Sequence, residues 1–366
     1  MTQPLIAPDV LRRSNKILFI AHLALGDFTY LQNCFQAFSQ AYPHLQIDLW
    51  VDEVRRTGDA SQWEHLKKYS LYDWVAACPF FHKIYKRTYS PELYKESIQE
   101  ARREAYPIVV SLATLRPQRY AALARAIAGA GLVVGMKAKV GLLQLHHLLG
   151  YKKLDRVIPP YSVDRRNPQH ISDVYADWFH QLCGIEIPSA ARFPFVTIPE
   201  HWLHAAEDTL AAWGFRDRSD KLVFINPFAK SKKRCWPLER VAELIAAMRQ
   251  QEKFRDACFI VNAAPNELAA ARKVFAAYAL QRTELFCAED NFFQLPAILQ
   301  KCDQIISVET AVMHLANAVH VPVIALMRQK NPEWVPIDSA NSTLVMAEQR
   351  REWVKAITVE QVMQVM

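Results

Sequence analysis

Gln304-Ile305-Ile306-Ser307-Val308-Glu309-Thr310-Ala311-Val312-Met313-His314 is the stretch on which the fold turns; Leu315 to Val319 and then Val321 to Met327 follow it. The apolar run Gln304–Val308 reads as a buried strand, 315–319 as a helix and 321–327 as the next strand. A polar cluster between a strand's C-terminal end and a helix N-terminus is where open α/β sheets take their ligands. Free N–H groups and the positive end of the helix dipole favour a phosphate there. Glu309 and Thr310 fall at the helix start, and His314 lies one turn on, roughly on the face of Thr310. A plainer account fits the same residues. Glu and Thr begin helices well, and a lone His on a helix is ordinarily structural. By itself the stretch leaves a ligand site and a simple helix start equally open.

The surrounding second half repeats the alternation. Lys221–Asn226 reads as a strand, and the loop after it runs Pro227-Phe228-Ala229-Lys230-Ser231-Lys232-Lys233-Arg234-Cys235-Trp236-Pro237. Lys230, Lys232, Lys233 and Arg234 put four cations in five positions of a strand-to-helix loop, a candidate anion site; a solvated basic loop is the weaker alternative. Pro237 suits a first helical turn. Cys258–Asn262 is a strand, with Asn266 and Glu267 opening the next helix. Leu285–Cys287 is a short strand, and 358–365 a terminal helix. All nine glycines lie at or before Gly214. The second half therefore holds no glycine-rich phosphate loop, and any phosphate must be met by helix N-termini and side chains.

The first half begins in the same way. Lys16–Ala21 is a buried-strand run, His22 to Asp27 a loop with Gly26 at a tight turn, then a helix to Ala41 and a strand over 45–51. Asp27 admits two roles, a helix cap or a carboxylate at the sheet edge able to act as general base. The residue type alone favours the cap. Pro107–Leu112 and Leu132–Gly135 are further strands. Arg116 and Arg119 follow the first of these and Lys137 the second, on the edge that carries Asp27; a solvated charge is the usual fate of such side chains, and the clustering favours an anion-binding role for Arg116 and Lys137 more than is usual. His146-His147 has no partner at metal-ligand spacing. A helix over 170–184 ends at Gly184. Three prolines between Ile187 and Pro199 mark a linker. The expected division is 1–187, a linker 188–199, 200–345, and a C-terminal helical segment 346–366 packing back toward the first domain.

Composition bounds the class. The chain has 366 residues, half of them hydrophobic, and a formal net charge of +7. That length suits two α/β domains. No apolar run reaches the ~20 residues of a membrane helix, and the start lacks a signal peptide's apolar core. Seven scattered cysteines without a CxxC suggest reduced thiols in a cytoplasm. Residues 1–190 hold 23 Lys and Arg against 17 Asp and Glu, and the rest 21 against 20, so the excess lies in the first half. Its partner is expected to be anionic. No nucleic-acid-binding motif is present, and no GxGxxG follows a strand, which argues against a dinucleotide-dependent dehydrogenase.

Taken together, the motifs resemble glycosyltransferase family 9, the bacterial lipopolysaccharide heptosyltransferases. Leu25-Gly26-Asp27 matches the family's Leu-Gly-Asp. Asn226-Pro227 through Trp236-Pro237-Leu238-Glu239-Arg240 matches its Asn-Pro-Gly-Ala…Lys-x-Trp-Pro. Glu309 to Ala316 matches its Asp-Ser/Thr-Gly-Pro-Met-His-Leu-Ala. The resemblance spans roughly residues 15 to 365 and implies a GT-B fold, α/β, with two Rossmann-like domains facing each other across a cleft. It implies inverting, metal-independent transfer of heptose from ADP-heptose to a Kdo or heptose of the inner core, with no cofactor. By position, Asp27 becomes the general base. Lys230, Lys232, Lys233, Arg234, Asn266, Glu267, Glu309, Thr310, Ala311, Val312 and His314 form the donor site. Gly26, Arg116, Arg119 and Lys137 fall to the acceptor. The implied partners are a nucleotide sugar, an anionic lipid-linked glycan and, peripherally, an anionic membrane surface, with the protein at the cytoplasmic face of the inner membrane. Ala311 for Gly, Arg234 for Lys and Ala21 for Arg depart from the family pattern. A different nucleotide sugar serving another glycan, or a non-catalytic sugar-nucleotide-binding relative, therefore stand as alternatives.

Overall fold

The structure is a computed structural model that describes residues 3–141, 145, 147–159, 168–215 and 221–366. His146 lies outside these. The chain divides into two compact units, Met1–Arg192 and Phe193–Met366.

In the first unit six strands form one sheet: β1 (Lys16–Ala21), β2 (Gln46–Val51), β3 (Lys83–Tyr85), β4 (Ile108–Ser111), β5 (Leu132–Met136) and β6 (Arg156–Ile158). Their order is β3-β2-β1-β4-β5-β6, and every neighbouring pair is parallel. Helices α1 (Pro8–Arg13), α2 (Leu25–Ala41), α3 (Trp63–Lys67), α4 (Leu71–Ala77), α5 (Pro91–Arg103), α6 (Pro117–Ala128), α7 (His147–Tyr151) and α8 (Ile171–Cys183) make the crossovers and cover the sheet. Central strands covered on both faces carry unbroken apolar runs, and Ile17 to Ala21 of β1 are all buried. Phe19 meets Phe35 of α2 edge-on at 5.1 Å and stacks on Phe179 of α8 at 5.8 Å, so two helices separated in sequence share one strand. α8 ends where Gly184 takes φ 76°, a left-handed cap that suits glycine.

The second unit repeats the plan with β7 (Leu222–Asn226), β8 (Cys258–Asn262), β9 (Thr283–Phe286), β10 (Gln304–Val308), β11 (Val323–Met327) and β12 (Ser342–Met346), in the order β12-β11-β10-β7-β8-β9 and again all parallel. Its helices are α9 (Glu200–Ala212), α10 (Leu238–Arg249), α11 (Leu268–Ala277), α12 (Gln294–Gln300), α13 (Ala311–Ala318) and α14 (Val359–Met363). The C-terminal segment, expected to pack toward the first domain, has its observed contacts in the second unit. Val354, Ile357 and Val362 are buried in one core with Val241 and Ile245 of α10. The indole N–H of Trp236 donates to the Ile357 carbonyl at 2.8 Å. Apolar residues on both sides of that junction give the segment a place to bury its face.

In each sheet the strand order reverses once, between β1 and β4 and between β10 and β7. Such a reversal opens a crevice outside the strands' C-terminal ends, the usual ligand position in open α/β sheets.

Candidate functional site

At the first reversal, β1 runs into His22 and then α2. Ala24 caps that helix without a polar side chain of its own. Asp27 supplies what is missing: its Oδ2 accepts the Ala24 N–H at 3.0 Å. Its Oδ1 accepts the Tyr175 hydroxyl, from α8, at 3.0 Å. The carboxylate is thus both a cap and a fixed acceptor. Burial pushes its pKa up, while the Ala24 N–H, the Tyr175 hydroxyl and the His22 ring pull it back. The Tyr175 hydroxyl is driven well above its ordinary value, first by burial and then by the Asp27 charge, so it stays a donor. Gly26 lies in the first turn of α2 and not in the tight turn expected for it.

Two residues unpredicted by motif lie nearby, His22 beside Asp27 and Asp52 beside His22. His22 has its pKa lowered by burial, with Asp27 and Asp52 opposing. Its ring stacks on Tyr120 at 5.5 Å. Asp52, the first residue after β2, accepts the Tyr120 hydroxyl at 2.7 Å and pairs with Arg56. Arg116, Arg119 and Lys137 are exposed on the same sheet edge, after β4 and β5. Arg116 caps α6 in a left-handed conformation at φ 52°, and Lys137 Nζ stands 5.9 Å from the Tyr151 ring.

At the second reversal a polar ladder ties three strand ends together. Asn262 Nδ2 donates to Asn226 Oδ1 at 2.9 Å. Asn226 Nδ2 donates to Thr310 Oγ1 at 2.9 Å and Ser307 Oγ at 3.1 Å. Thr310 caps α13, accepting the Val312 N–H at 3.4 Å. Ala311 is half-buried beside it and the Val312 side chain is buried. Glu309 is nearly inaccessible, and its carboxylate takes a bidentate pair from Arg328, Nε to Oε2 at 3.0 Å and Nη2 to Oε1 at 2.9 Å. Asn331 Nδ2 donates to it as well, at 2.8 Å. Its side chain therefore props up the loop, and what it can offer a ligand is main chain. His314 sits one turn into α13, buried, its ring 5.9 Å from that of Trp334. The spacing placed its position correctly, but the side chain is turned inward.

The basic loop closes over this end of the sheet. The Trp236 N–H donates to Pro227 O at 2.8 Å. Lys232–Arg234 form one 3-10 turn. Lys230, Lys232 and Lys233 are exposed. None of the four cations makes an ion pair among the described residues. Arg234 reaches the third motif, with Nη2 at 3.4 Å from the Glu309 carbonyl, while its buried Nε finds no partner among the described residues. Unpaired cations crowded on one turn cost free energy unless an anion joins them. Trp353, another residue no motif pointed to, lies beneath, with Lys233, Arg328 and Lys330 at 5.6, 4.8 and 5.8 Å from its ring. Asn266 and Glu267 open α11 one strand away, linked by a 3.4 Å hydrogen bond. Together the loop, the Thr310 cap and the start of α13 can hold a phosphorylated group.

The family model of glycosyltransferase family 9 (heptosyltransferase) matches residues 98–362. Comparison with curated proteins finds no match. Among solved structures, a glycosyltransferase family 9 protein from Veillonella parvula is similar with a TM-score of 0.72 at 19% identity, covering 96% of this chain and 95% of that one. The E. coli ADP-heptose LPS heptosyltransferase II follows with a TM-score of 0.67 at 16% identity, covering 95% and 96%. E. coli heptosyltransferase WaaC, solved with ADP, gives 0.62 at 17% identity, covering 96% of both. At these identities the likeness shows the fold, two Rossmann-like α/β domains of the GT-B class.

Proposed function

This chain belongs to glycosyltransferase family 9, and from that premise we propose that it is an inverting, metal-independent transferase moving heptose from ADP-heptose to an anionic Kdo or heptose of the lipopolysaccharide inner core. The observation that carries the reading is Asp27: a carboxylate at the strand-end crevice, held on two sides and raised in pKa by burial. In the reaction Asp27 removes the proton from the acceptor hydroxyl as that oxygen bonds to the anomeric carbon. The bond from this carbon to the diphosphate oxygen breaks on the opposite face, and the nucleoside diphosphate leaves with the electron pair. Proton removal by a placed base contributes about 10²–10⁴-fold.

The leaving diphosphate gains charge as the bond breaks. Lys230, Lys232, Lys233 and Arg234, with the N–H groups of Ala311 and Val312, are the groups we assign to meet it, since prearranged donors need no reorganisation in the transition state. Asn266 and Glu267 are assigned to the ribose, and Gly26, Arg116, Arg119 and Lys137 to the acid groups of the acceptor. His314, buried one turn into α13, is assigned to the donor side with them.

Isothermal titration with ADP, UDP and GDP in the presence of EDTA tests the donor half. Selective ADP binding supports the assignment. Preference for UDP or GDP keeps the transferase and changes the donor. Binding of none would point to a relative that has lost turnover.

A further inference from the structure

Across the second sheet the strand ends follow one another as β8, β7, β10, β11. The parts of a donor assigned above fall along the same line. Asn266 and Glu267, after β8, are assigned to the ribose. The basic loop after β7 and the start of α13 after β10 are assigned to the diphosphate. Neighbouring strands stand about 4.8 Å apart. A nucleotide sugar laid along this edge from the β8 end therefore brings its sugar, the group beyond the diphosphate, to the end of β11.

The segment after β11 is fastened to the turn between β10 and α13. Arg328 pairs with both oxygens of Glu309, and Asn331 Nδ2 donates to the same carboxylate at 2.8 Å. Pro332–Trp334 then form one 3-10 turn. The Trp334 N–H donates to the Asn331 carbonyl at 3.1 Å, and its ring stands 5.9 Å from that of His314 in α13. Glu333 lies between these two anchored residues. Its Oε2 is buried and has no hydrogen-bond partner among the described residues. The two carboxylates at this end of the sheet thus differ. Glu309 is matched by a guanidinium and an amide, whereas Glu333 keeps a buried oxygen unmatched. An acceptor withdrawn from water and left unpaired costs free energy, and native structures seldom retain one that nothing outside the chain completes.

We infer that Glu333 is a specificity-determining residue whose Oε2 accepts a hydroxyl of the sugar carried by the donor. The inference rests on the transferase reading and adds the contact that distinguishes a nucleotide sugar from the bare nucleotide. A carboxylate offers acceptors only, so the group that completes it is a donor, and hydroxyls are the donors a sugar supplies. A phosphate or a sugar acid placed against Glu333 would meet like charge. The chemical class selected is a neutral, polyhydroxylated sugar.

The test is isothermal titration of the full chain with ADP and with ADP-heptose, in EDTA and without acceptor, for wild type, Glu333→Gln and Glu333→Ala. The expected result is that Glu333→Ala binds ADP-heptose about 10-fold or more weakly, the value of a hydrogen bond to a charged group. Glu333→Gln, nearly the same shape and retaining one acceptor oxygen, should lose less. ADP affinity should be unchanged in both. Equal loss for the two ligands would show a structural role and overturn the inference. Unchanged ADP-heptose affinity in Glu333→Ala would overturn it too, by showing that the sugar does not meet this oxygen. Wild-type protein that binds neither ligand would bring down the transferase reading and this inference with it. Wild-type protein that binds both leaves that reading standing whichever way the variants fall.

Discussion

At the scale of single residues the account rests on a carboxylate whose environment favours its protonated form. Because the Asp27 pKa is raised on folding, the protonated side chain contributes stability below the ordinary value of 3.8, and that contribution is lost as pH rises through the folded pKa. Relative to wild type, Asp27→Asn should therefore gain stability as pH rises across this window, whatever its offset at low pH; thermal melts at a series of pH values read the difference. A trend of the opposite sign would contradict the burial argument. The acid limb of kcat/KM should likewise fall above the ordinary aspartate value. Motif order and residue type singled out Asp27 and Arg234. Tyr175, 148 positions away from Asp27, and Trp353 beneath the basic loop could not be found that way, because only the packing of α8 on β1 and of the C-terminal segment on α10 brings them in. His22 and Asp52 left a usable signal: each directly follows a buried strand. Arg234→Ala should weaken ADP binding by about 10-fold or more, the value of a charge-assisted hydrogen bond of roughly 1.5–3 kcal/mol; unchanged affinity by titration would remove it from the donor site.

At the scale of elements, the strands read with correct bounds were central ones buried on both faces, while the edge strand β9 was read only as Leu285–Cys287. β1, β8 and β10 have the bounds their apolar runs predict, because central parallel strands leave no polar alternation. β3, β6 and β12 were not read, and all three are edge strands. They are short or half-exposed, begin with Lys83, Arg156 and Ser342, and show no continuous apolar run. α3 was hidden as a brief helix within a polar stretch, and α4, Leu71–Ala77, because seven mostly apolar residues are too few to show a helical period. The Glu309–Arg328 pair is the element-scale support of the turn between β10 and α13. Arg328→Met leaves the Glu309 carboxylate buried without its charge partner, which should cost about 3–5 kcal/mol. Replacing Glu309 by Gln together with Arg328 by Met should recover much of that loss in chemical denaturation. An additive double variant would show that the pair is not coupled. Thr310→Val removes the α13 cap and one acceptor of Asn226, and should cost about 1–2 kcal/mol.

At the scale of the whole molecule, the proposed chemistry draws on residues of both units. Asp27 belongs to the unit ending at Arg192, and the basic loop with Glu309 to Ala311 belongs to the unit starting at Phe193. Nucleotide affinity and turnover should therefore be separable by mutation. Changes at Lys232 or Arg234 should weaken the nucleotide and turnover together, whereas changes at Asp27 should spare the nucleotide. The most direct measurement is transfer from ADP-heptose to a Kdo-terminated acceptor in EDTA, with wild-type protein and Asp27→Asn compared at saturating donor and the ADP dissociation constant measured on both. The account predicts a product of inverted configuration, a loss of kcat on the order of 10³-fold in the variant, and unchanged ADP affinity. Turnover in Asp27→Asn within a few-fold of wild type would contradict it.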